Sequence, residues 1–283
     1  MVTEPTHLTV IDHSVSEEEF TLVQNPEFGF LETTPRPEAD KLPQYYESKD
    51  YISHTDSNRN LFEIVYHLVR RISIKKKLEL IDNYAEDGKI LLDVGCGTGD
   101  FLKAAKDNGW YGYGIEPNEQ AREIANKKTN QGVFDTEELF KFKPHRFDVI
   151  TLWHVLEHLP DLEEQIEAYK KLLKENGTLI IAVPNHKSFD AEYYQEFWAG
   201  YDVPRHLWHF DKVSMGKLLS KHQLKITEVK PMKFDAYYVS LLSEKYKHGR
   251  MKIIKGFLTG WKSNRKAKAS KEASSLIFVV KNQ

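Results

Sequence analysis

The stretch KILLDVGCGTGDFL, at residues 89–102, joins an apolar run, three closely spaced glycines and a helix-like pattern. From this point to residue 184, runs that are typical of strands alternate with runs that are typical of helices. This alternation predicts an α/β fold with a doubly wound, mostly parallel sheet and helices on both faces. A helical pattern at about 58–84 precedes it, and two strand-like runs, LKITEVK and SSLIFVVK, follow it.

The glycine turn predicts a nucleotide-type ligand. Glycines 95, 97 and 99 would let a ligand approach the main chain, and the helix that follows offers free N–H groups. Glu116 ends the next strand, where a carboxylate can accept hydrogen bonds from both ribose hydroxyls. That carboxylate fits two classes of cofactor, but the dinucleotide fingerprint needs a third glycine at the position of Asp100. The spacing therefore argues against NAD and an oxidoreductase.

Four segments together carry a family resemblance. LLDVGCGTGDFL, GIEPN, FDVITLWHVLEHLPD and GTLIIAVPN occur in the order of the class I S-adenosylmethionine-dependent methyltransferases, and the resemblance covers about residues 89–230. PRHLWHF (204–210) and LPQYYESKDYISH (42–54) further resemble the bacterial type 23 branch, close to the ubiquinone-biosynthesis O-methyltransferases. The resemblance implies a seven-stranded Rossmann-like sheet, S-adenosylmethionine as cofactor and S-adenosylhomocysteine as product.

The resemblance also implies the cofactor contacts. They are Gly95, Cys96, Gly97 and Gly99 at the methionine part, Asp93 near its amino group, Glu116 at the ribose, Pro117 and Asn118 beside the adenine, Asp135 with Thr136 at the adenine amine, and Trp153 and His154 near the sulfonium.

A methyltransferase needs a base only when the acceptor is protonated, and histidine suits that task near neutral pH. His154 and His206 are the candidate catalytic residues, while His158 with Glu157 is expected to cap and pack a helix. Some ubiquinone-type relatives are thought to hold a divalent ion through a Glu-x-x-Glu-His run. The matching residues here are His154, Glu157 and His158, so the first ligand differs, and we expect no metal.

The aromatic-rich segment 184–210 follows the strand GTLIIAVP and has two interpretations. It is either a lid over an aromatic or apolar acceptor or a loop with its own small core. In the first case Arg205, His206, Tyr194 and Trp198 would contact the acceptor.

The expected organisation is an N-terminal arm at 1–57 and a methyltransferase domain at 58–283 that contains the segment 184–210 and a basic helical insertion at 232–273. Residues 1–45 look irregular and rich in proline. Relatives of this branch often carry a zinc ribbon here, but Asn25 and Phe28 stand where cysteines would be. We therefore interpret the arm as derived from a ribbon that has lost its metal, with Phe20, Phe28 and Phe30 as packing anchors.

Charge and cysteine content set the remaining expectations. The chain has 40 basic and 42 acidic residues and one cysteine, which excludes an internal disulfide. Without a signal sequence or a long apolar run, we expect a cytoplasmic protein with no membrane partner and a small-molecule acceptor. Residues 245–271 carry 10 basic and no acidic side chains. This run keeps open a methyltransferase acting on RNA or another macromolecule, although no RNA-binding module is recognisable and a nucleic-acid partner is not the expectation.

Two further expectations follow. An inactive protein that only binds S-adenosylmethionine is a second alternative to the small-molecule enzyme. In the basic insertion, Ile253, Ile254, Phe257, Leu258 and Trp261 follow a helical period, so we expect them to pack on the body of the protein.

Overall fold

A computed structural model describes residues 8–38, 41–46, 61–85 and 88–283, and for residues 43 and 61–68 it describes the backbone alone. The expected domain boundary at 57/58 lies outside the described residues.

A seven-stranded sheet forms the centre of the described structure, in the order β10-β11-β8-β7-β4-β5-β6. The strands β4 to β8 are parallel to one another, and β11 runs antiparallel to both of its neighbours. The predicted α/β class and mostly parallel sheet are therefore confirmed. The strands are β4 (Ile90–Val94), β5 (Tyr111–Ile115), β6 (Val133–Phe134), β7 (Phe147–Trp153), β8 (Leu173–Pro184), β10 (Leu224–Pro231) and β11 (Ser275–Asn282).

Helices cover both faces of this sheet because successive strand residues point to opposite sides. Leu91 packs with the helices α1 to α3 on one face, whereas Leu92 packs with α4 and α6 on the other. The helices are α1 (Leu61–Asp82), α2 (Asp100–Asp107), α3 (Glu119–Thr129), α4 (Leu162–Leu172), α5 (Phe189–Tyr194), α6 (Lys212–Lys221), α7 (Asp235–His248) and α8 (Ile253–Ser270). The carboxyl ends of β4, β5 and β7 meet at one edge, where ligands bind in such sheets.

The N-terminal residues form a second sheet, which corrects the expectation of an irregular segment. The strands β1 (Leu8–Ile11), β2 (Glu19–Gln24) and β3 (Leu31–Thr34) form an antiparallel meander, and β3 pairs with β9 (Trp208–His209). Phe20, Phe28 and Phe30 are buried, as expected of packing anchors. The origin of this arm in a zinc ribbon stays a prediction.

Hydrogen bonds hold the turn between β2 and β3. The side-chain oxygen of Asn25 accepts from the backbone N–H groups of Glu27 (2.9 Å) and Phe28 (2.7 Å). An Asn side chain bonded to the backbone two residues later stabilises a turn without a metal.

The basic insertion forms the helical hairpin α7–α8 between β10 and β11, as predicted. The expectation that its large apolar side chains pack on the body is wrong. Ile253, Ile254, Phe257, Leu258 and Trp261 are 48–78% exposed, and the buried residues of α8 are Gly256, Thr259, Gly260, Ser263 and Ala267. Among the described residues, no helix is both long and apolar enough to cross a membrane.

Candidate functional site

The turn after β4 has a left-handed backbone at all three glycines, and two of them have opposite steric surroundings. A Cβ atom on Gly95 (φ +67°) would lie 2.4 Å from Cγ2 of Val155. A Cβ atom on Gly97 (φ +54°) would have no described atom within 4 Å. Gly95 is therefore required by packing, whereas Gly97 borders open space in the described structure. Gly99 (φ +79°) begins α2 with no side-chain cap, so the first N–H groups of this helix stay available.

Glu116 lies beside this turn, as the sequence predicted. Its Oε2 accepts a hydrogen bond from the backbone N–H of Gly97 (2.8 Å), and its Oε1 accepts from the N–H of Asn118 (2.9 Å). Burial raises the pKa of the Glu116 carboxyl, although these two hydrogen bonds and Arg122 oppose that effect. The backbone thus holds a buried carboxylate at the edge of the open space.

Asp135 and Thr136 lie further along the same edge. The Asp135 carboxylate caps the short 3-10 helix Thr136–Lys141 by accepting from the N–H of Thr136 (2.6 Å), and it pairs with Arg122 (3.1 Å). Arg122 also donates to the backbone oxygens of Glu116 and Pro117. These bonds fix the residues that follow β5 and β6. The sequence analysis assigned these residues to the ribose and the adenine of the cofactor.

The carboxylate of Asp93 is buried beneath the turn. It accepts a hydrogen bond from the Thr151 hydroxyl (2.7 Å), and burial raises its pKa to about 7. Sequence reasoning missed Lys77 of α1, which attracts Asp93 and whose pKa burial lowers to about 8. The thiol of Cys96 has a raised pKa because it is buried close to Asp93 and Glu116. Burial therefore disfavours both the Asp93 carboxylate and the Cys96 thiolate, and the Cys96 thiol stays protonated at neutral pH.

Trp153 ends β7 next to these groups. The Lys77 ammonium lies 4.4 Å from the centre of its ring. Its indole Nε1 is buried, and in the described part of the chain it has no hydrogen-bond partner. Because a buried donor without an acceptor is costly, this atom indicates a place for a ligand acceptor.

His154 follows Trp153 in a left-handed conformation (φ +57°) and is held at both ring nitrogens. Its Nδ1 lies 3.2 Å from Oε1 of Glu157, and its Nε2 lies 2.8 Å from Oδ2 of Asp235, the first residue of α7. Burial alone would lower the pKa of His154, but the two carboxylates raise it to about 10. The two carboxylates therefore favour the charged form of His154 over the neutral form that a base needs. This direction argues against its expected role as a base, which stays a prediction, and sequence reasoning missed Asp235.

His158 and His206 have the opposite character. Nδ1 of His158 lies 3.0 Å from the carbonyl oxygen of Arg205, and Nδ1 of His206 lies 3.0 Å from that of Gly200. A carbonyl oxygen only accepts, so Nδ1 of His206 donates to Gly200, whereas Nδ1 of His158 also lies 3.1 Å from the Tyr46 hydroxyl. Burial and the nearby His206 lower the pKa of His158 to about 4.

The rings of His158 and His206 lie close to the carboxylate of Glu157. Ligand atoms of Glu157, His158 and His206 lie within 4.8 Å of one another, and Oε2 of Glu157 is buried without a partner among the described residues. Two imidazole nitrogens and a carboxylate could hold a divalent ion such as Zn²⁺. This set contains His206 in place of His154. The resemblance to the Glu-x-x-Glu-His run had matched His154 together with Glu157 and His158. The expectation of no metal stays a prediction.

Three of the predicted acceptor residues are buried in structural contacts. Tyr194 donates to Oε1 of Glu244 (3.0 Å), and the indole N–H of Trp198 donates to Asp190 (2.8 Å). Arg205 pairs with Asp12 (2.9 Å) and thereby joins the segment 184–210 to the N-terminal sheet. Of the two interpretations of this segment, the packed core fits Tyr194, Trp198 and Arg205. Their expected contact with the acceptor stays a prediction that these structural contacts argue against.

Comparison with known proteins supplies a family for this geometry. A family model described as a methyltransferase domain, of type 23, matches residues 61–229, more than half of the chain. A ubiquinone biosynthesis O-methyltransferase from Neisseria meningitidis serogroup A is 32% identical over 155 residues, 46% of this chain and 65% of that protein. The enzyme of the same name from Nitrosospira multiformis is 32% identical over 117 residues, 38% of this chain and 49% of that protein. The chain thus matches 65% and 49% of the length of these two relatives, less than two thirds of each.

Solved structures share the fold at low sequence identity. A magnesium protoporphyrin IX methyltransferase from Synechocystis, with bound SAH, has a TM-score of 0.56 and 14% identity, over 87% of this chain and 100% of that chain. A SAM-dependent methyltransferase from Archaeoglobus fulgidus has a TM-score of 0.51 and 18% identity, over 79% and 100% of the two chains. At these identities the likeness shows the Rossmann-like methyltransferase fold alone, as the sequence predicted.

Proposed function

From the premise that the chain belongs to this methyltransferase family, we propose that it transfers a methyl group from S-adenosylmethionine to an oxygen atom of a small molecule, and releases S-adenosylhomocysteine. The family predicted from the sequence is confirmed by the family match, and the methyl transfer and its cofactor follow from that family as part of the proposal. The acceptor and its oxygen atom are part of the proposal.

The observation that carries the proposal is the contact between Glu116 and Gly97. A buried carboxylate bonded to the N–H of Gly97 (2.8 Å) faces a turn with open space above the same glycine. Ribose hydroxyls can replace that N–H as donors, and the unpartnered Nε1 of Trp153 offers a donor nearby on the same sheet edge. The residues present therefore fit S-adenosylmethionine, with Glu116 at the ribose and the glycine turn at the methionine part.

The cofactor, when bound, supplies a methyl group on a sulfonium, which is activated toward an in-line nucleophile. The protein's main task is then to position the acceptor and to exclude water. Nε2 of His206 is the candidate base for a hydroxyl acceptor, and the His206 side chain is about 10% exposed.

A proton taken up at Nε2 of His206 would be stabilised by two carboxylates. Oε1 of Glu157 lies 4.0 Å away and Oδ2 of Asp202 lies 3.9 Å away. His154, which Asp235 and Glu157 hold at its two ring nitrogens, would position the end of β7 rather than move a proton. A base beside the site and relatives that are named O-methyltransferases both favour a hydroxyl acceptor over an amine.

The proposal is tested by a screen for S-adenosylhomocysteine release with phenolic, enolic, aliphatic hydroxyl and amine acceptors. We expect turnover with a hydroxyl compound. The substitution His206→Gln should then lower kcat by about 100-fold or more, while S-adenosylhomocysteine binds as before. Gln223 lies in the turn after α6 and its side chain accepts from Lys170, outside the contacts described for the candidate site, so Gln223→Ala serves as the control.

Three results would contradict the proposal. One is methyl incorporation into tRNA with no small acceptor used, which would favour the macromolecular alternative. Another is unchanged kcat in the His206→Gln variant. The third is cofactor binding without transfer to any acceptor tested, which would favour the inactive binding protein.

A further inference from the structure

The helical hairpin α7–α8 turns its larger apolar side chains outward because its inner face is built from small residues. A Cβ atom on Gly256 would lie 2.9 Å from the Cα of Leu241, and one on Gly260 would lie 2.6 Å from the carbonyl oxygen of Ala236. The two helices are therefore in backbone contact at these glycines. Larger side chains cannot enter this interface, so those of α8 must lie on its other side.

The outward residues of α8 form one apolar strip. At 100° per residue, Ile253, Ile254, Phe257, Leu258 and Trp261 span an arc of about 140°. Their exposed fractions are 62%, 78%, 54%, 55% and 48%. All of these side chains except that of Trp261 are thus more exposed than buried in the part of the chain that the structure describes. The ring of Phe257 is fixed by stacking on Tyr237 of α7, at 4.9 Å between ring centres.

Cations continue the same side of the helix. By the same helical angle, Arg265 and Lys268 lie on the arc of the apolar strip, one and two turns beyond Trp261. Both are exposed, and Lys262 and Lys266 flank them on the exposed surface. The whole stretch 245–271 contains 10 basic and no acidic residues. The apolar strip is therefore bordered by a single sign of charge.

We propose that this surface, the α8 face (Ile253, Ile254, Phe257, Leu258 and Trp261 with Arg265 and Lys268), docks on a bilayer that contains anionic phospholipids. Aliphatic and aromatic side chains beside Lys and Arg are typical of helices that lie in the membrane interface. Anionic head groups complement the cations, whereas a second copy of the chain would bring like charges together. The proposal replaces the expectation of no membrane partner. In it, the α8 face lies on the surface of the bilayer and does not cross it.

The position of the hairpin connects this surface with the candidate site. Asp235, the first residue of α7, bonds Nε2 of His154 at 2.8 Å. The partner helix of the α8 face therefore contacts the end of β7 directly. Docking there would hold the candidate site close to the bilayer, where an apolar acceptor would be concentrated.

The test is co-sedimentation of the full chain with vesicles of phosphatidylcholine alone and of phosphatidylcholine with 30% phosphatidylglycerol. The double substitution Ile254→Ser with Leu258→Ser removes the two side chains that protrude on one flank of the strip. Val213→Ser changes a similarly exposed apolar residue on α6 and serves as the matched control. Because all three side chains are exposed, the variants should keep the thermal transition of the wild type.

We expect the anionic vesicles to bind the wild type and the Val213→Ser variant equally, and the double variant about ten-fold more weakly. Raising NaCl from 0.1 to 0.5 M should also weaken binding about five-fold, because salt screens the cations. Equal binding of the double variant and the wild type, or no binding of the wild type to anionic vesicles, would overturn the proposal. A wild-type dimer that the double substitution dissociates, without vesicle binding, would make the occupant a second copy and also overturn it.

Discussion

Replacing Gly97 with alanine separates the two roles of the glycine turn, backbone conformation and ligand space. The φ of Gly97 is +54°, and a Cβ atom there would meet no described atom within 4 Å. Gly109, in the turn between α2 and β5, offers a matched control, since its φ is +86° and its Cβ would also meet nothing within 4 Å. Both substitutions place an L-residue in the left-handed region at the same kind of unobstructed position.

The cost in stability should be similar for the two variants. A non-glycine residue in the left-handed region costs about 1–2 kcal/mol in the free energy of unfolding. At about 2–4 °C per kcal/mol for a chain of this size class, Gly97→Ala and Gly109→Ala should each lower Tm by about 2–8 °C. Thermal unfolding followed by circular dichroism checks this equality before any ligand is added.

Ligand binding should distinguish the variants. At position 97 the new methyl group occupies the space that we assign to the cofactor, so the Kd for S-adenosylhomocysteine should rise at least ten-fold, about 1.4 kcal/mol. At position 109 the Kd should stay within two-fold of the wild type. If Gly97→Ala binds S-adenosylhomocysteine as tightly as Gly109→Ala, the open space at Gly97 does not hold the ligand and the site is placed wrongly.

Two further predictions concern the charged groups around the site. Because the pKa of His154 is raised from 6.5 to about 10, its ion pairs stabilise the fold fully below pH 6.5, and this stability is lost as the pH rises toward 10. In urea titrations the wild type should lose on the order of 2–4 kcal/mol more than His154→Gln between pH 7 and 10, and parallel losses would refute the raised pKa. Arg205→Met should lower the free energy of unfolding by about 3–5 kcal/mol, since it leaves the buried Asp12 carboxylate unpaired. Arg205→Met with Asp12→Asn should recover part of that loss, and an undiminished loss in the double variant would contradict the pairing.

The central sheet could be predicted because its information is local. Most strands of the segment 89–184 are short runs in which apolar residues predominate, and the helices between them have their own period, so the order of elements follows from short windows. The candidate cofactor residues Gly97 and Glu116 were found for the same reason, since each follows the end of a recognisable strand, β4 or β5. Their mutual contact follows from the parallel pairing of β4 with β5.

The remaining features depend on contacts between distant residues. The N-terminal meander pairs with Trp208–His209, and Asp12 meets Arg205 from 193 positions away, so neither appears in a local pattern. His154 looked like a free base because its partner Asp235 lies 81 positions later, on a different helix. The helical period of α8 correctly predicted that the helix has two different faces. Which face is buried could not be predicted, because it depends on the close approach of α7 and α8 that Gly256 and Gly260 permit.

The measurement that tests the account most directly is a calorimetric titration of the full chain with S-adenosylhomocysteine, run beside NADH. Glu116→Ala removes the carboxylate at the Gly97 N–H, and Glu119→Ala removes an exposed carboxylate three residues later as the control. We predict single-site binding of S-adenosylhomocysteine and none of NADH. The Kd should rise at least ten-fold in Glu116→Ala and stay unchanged in Glu119→Ala. Binding of S-adenosylhomocysteine that is equally tight in both variants, or no binding to the wild type, would contradict the assignment of the glycine turn and Glu116 to the cofactor.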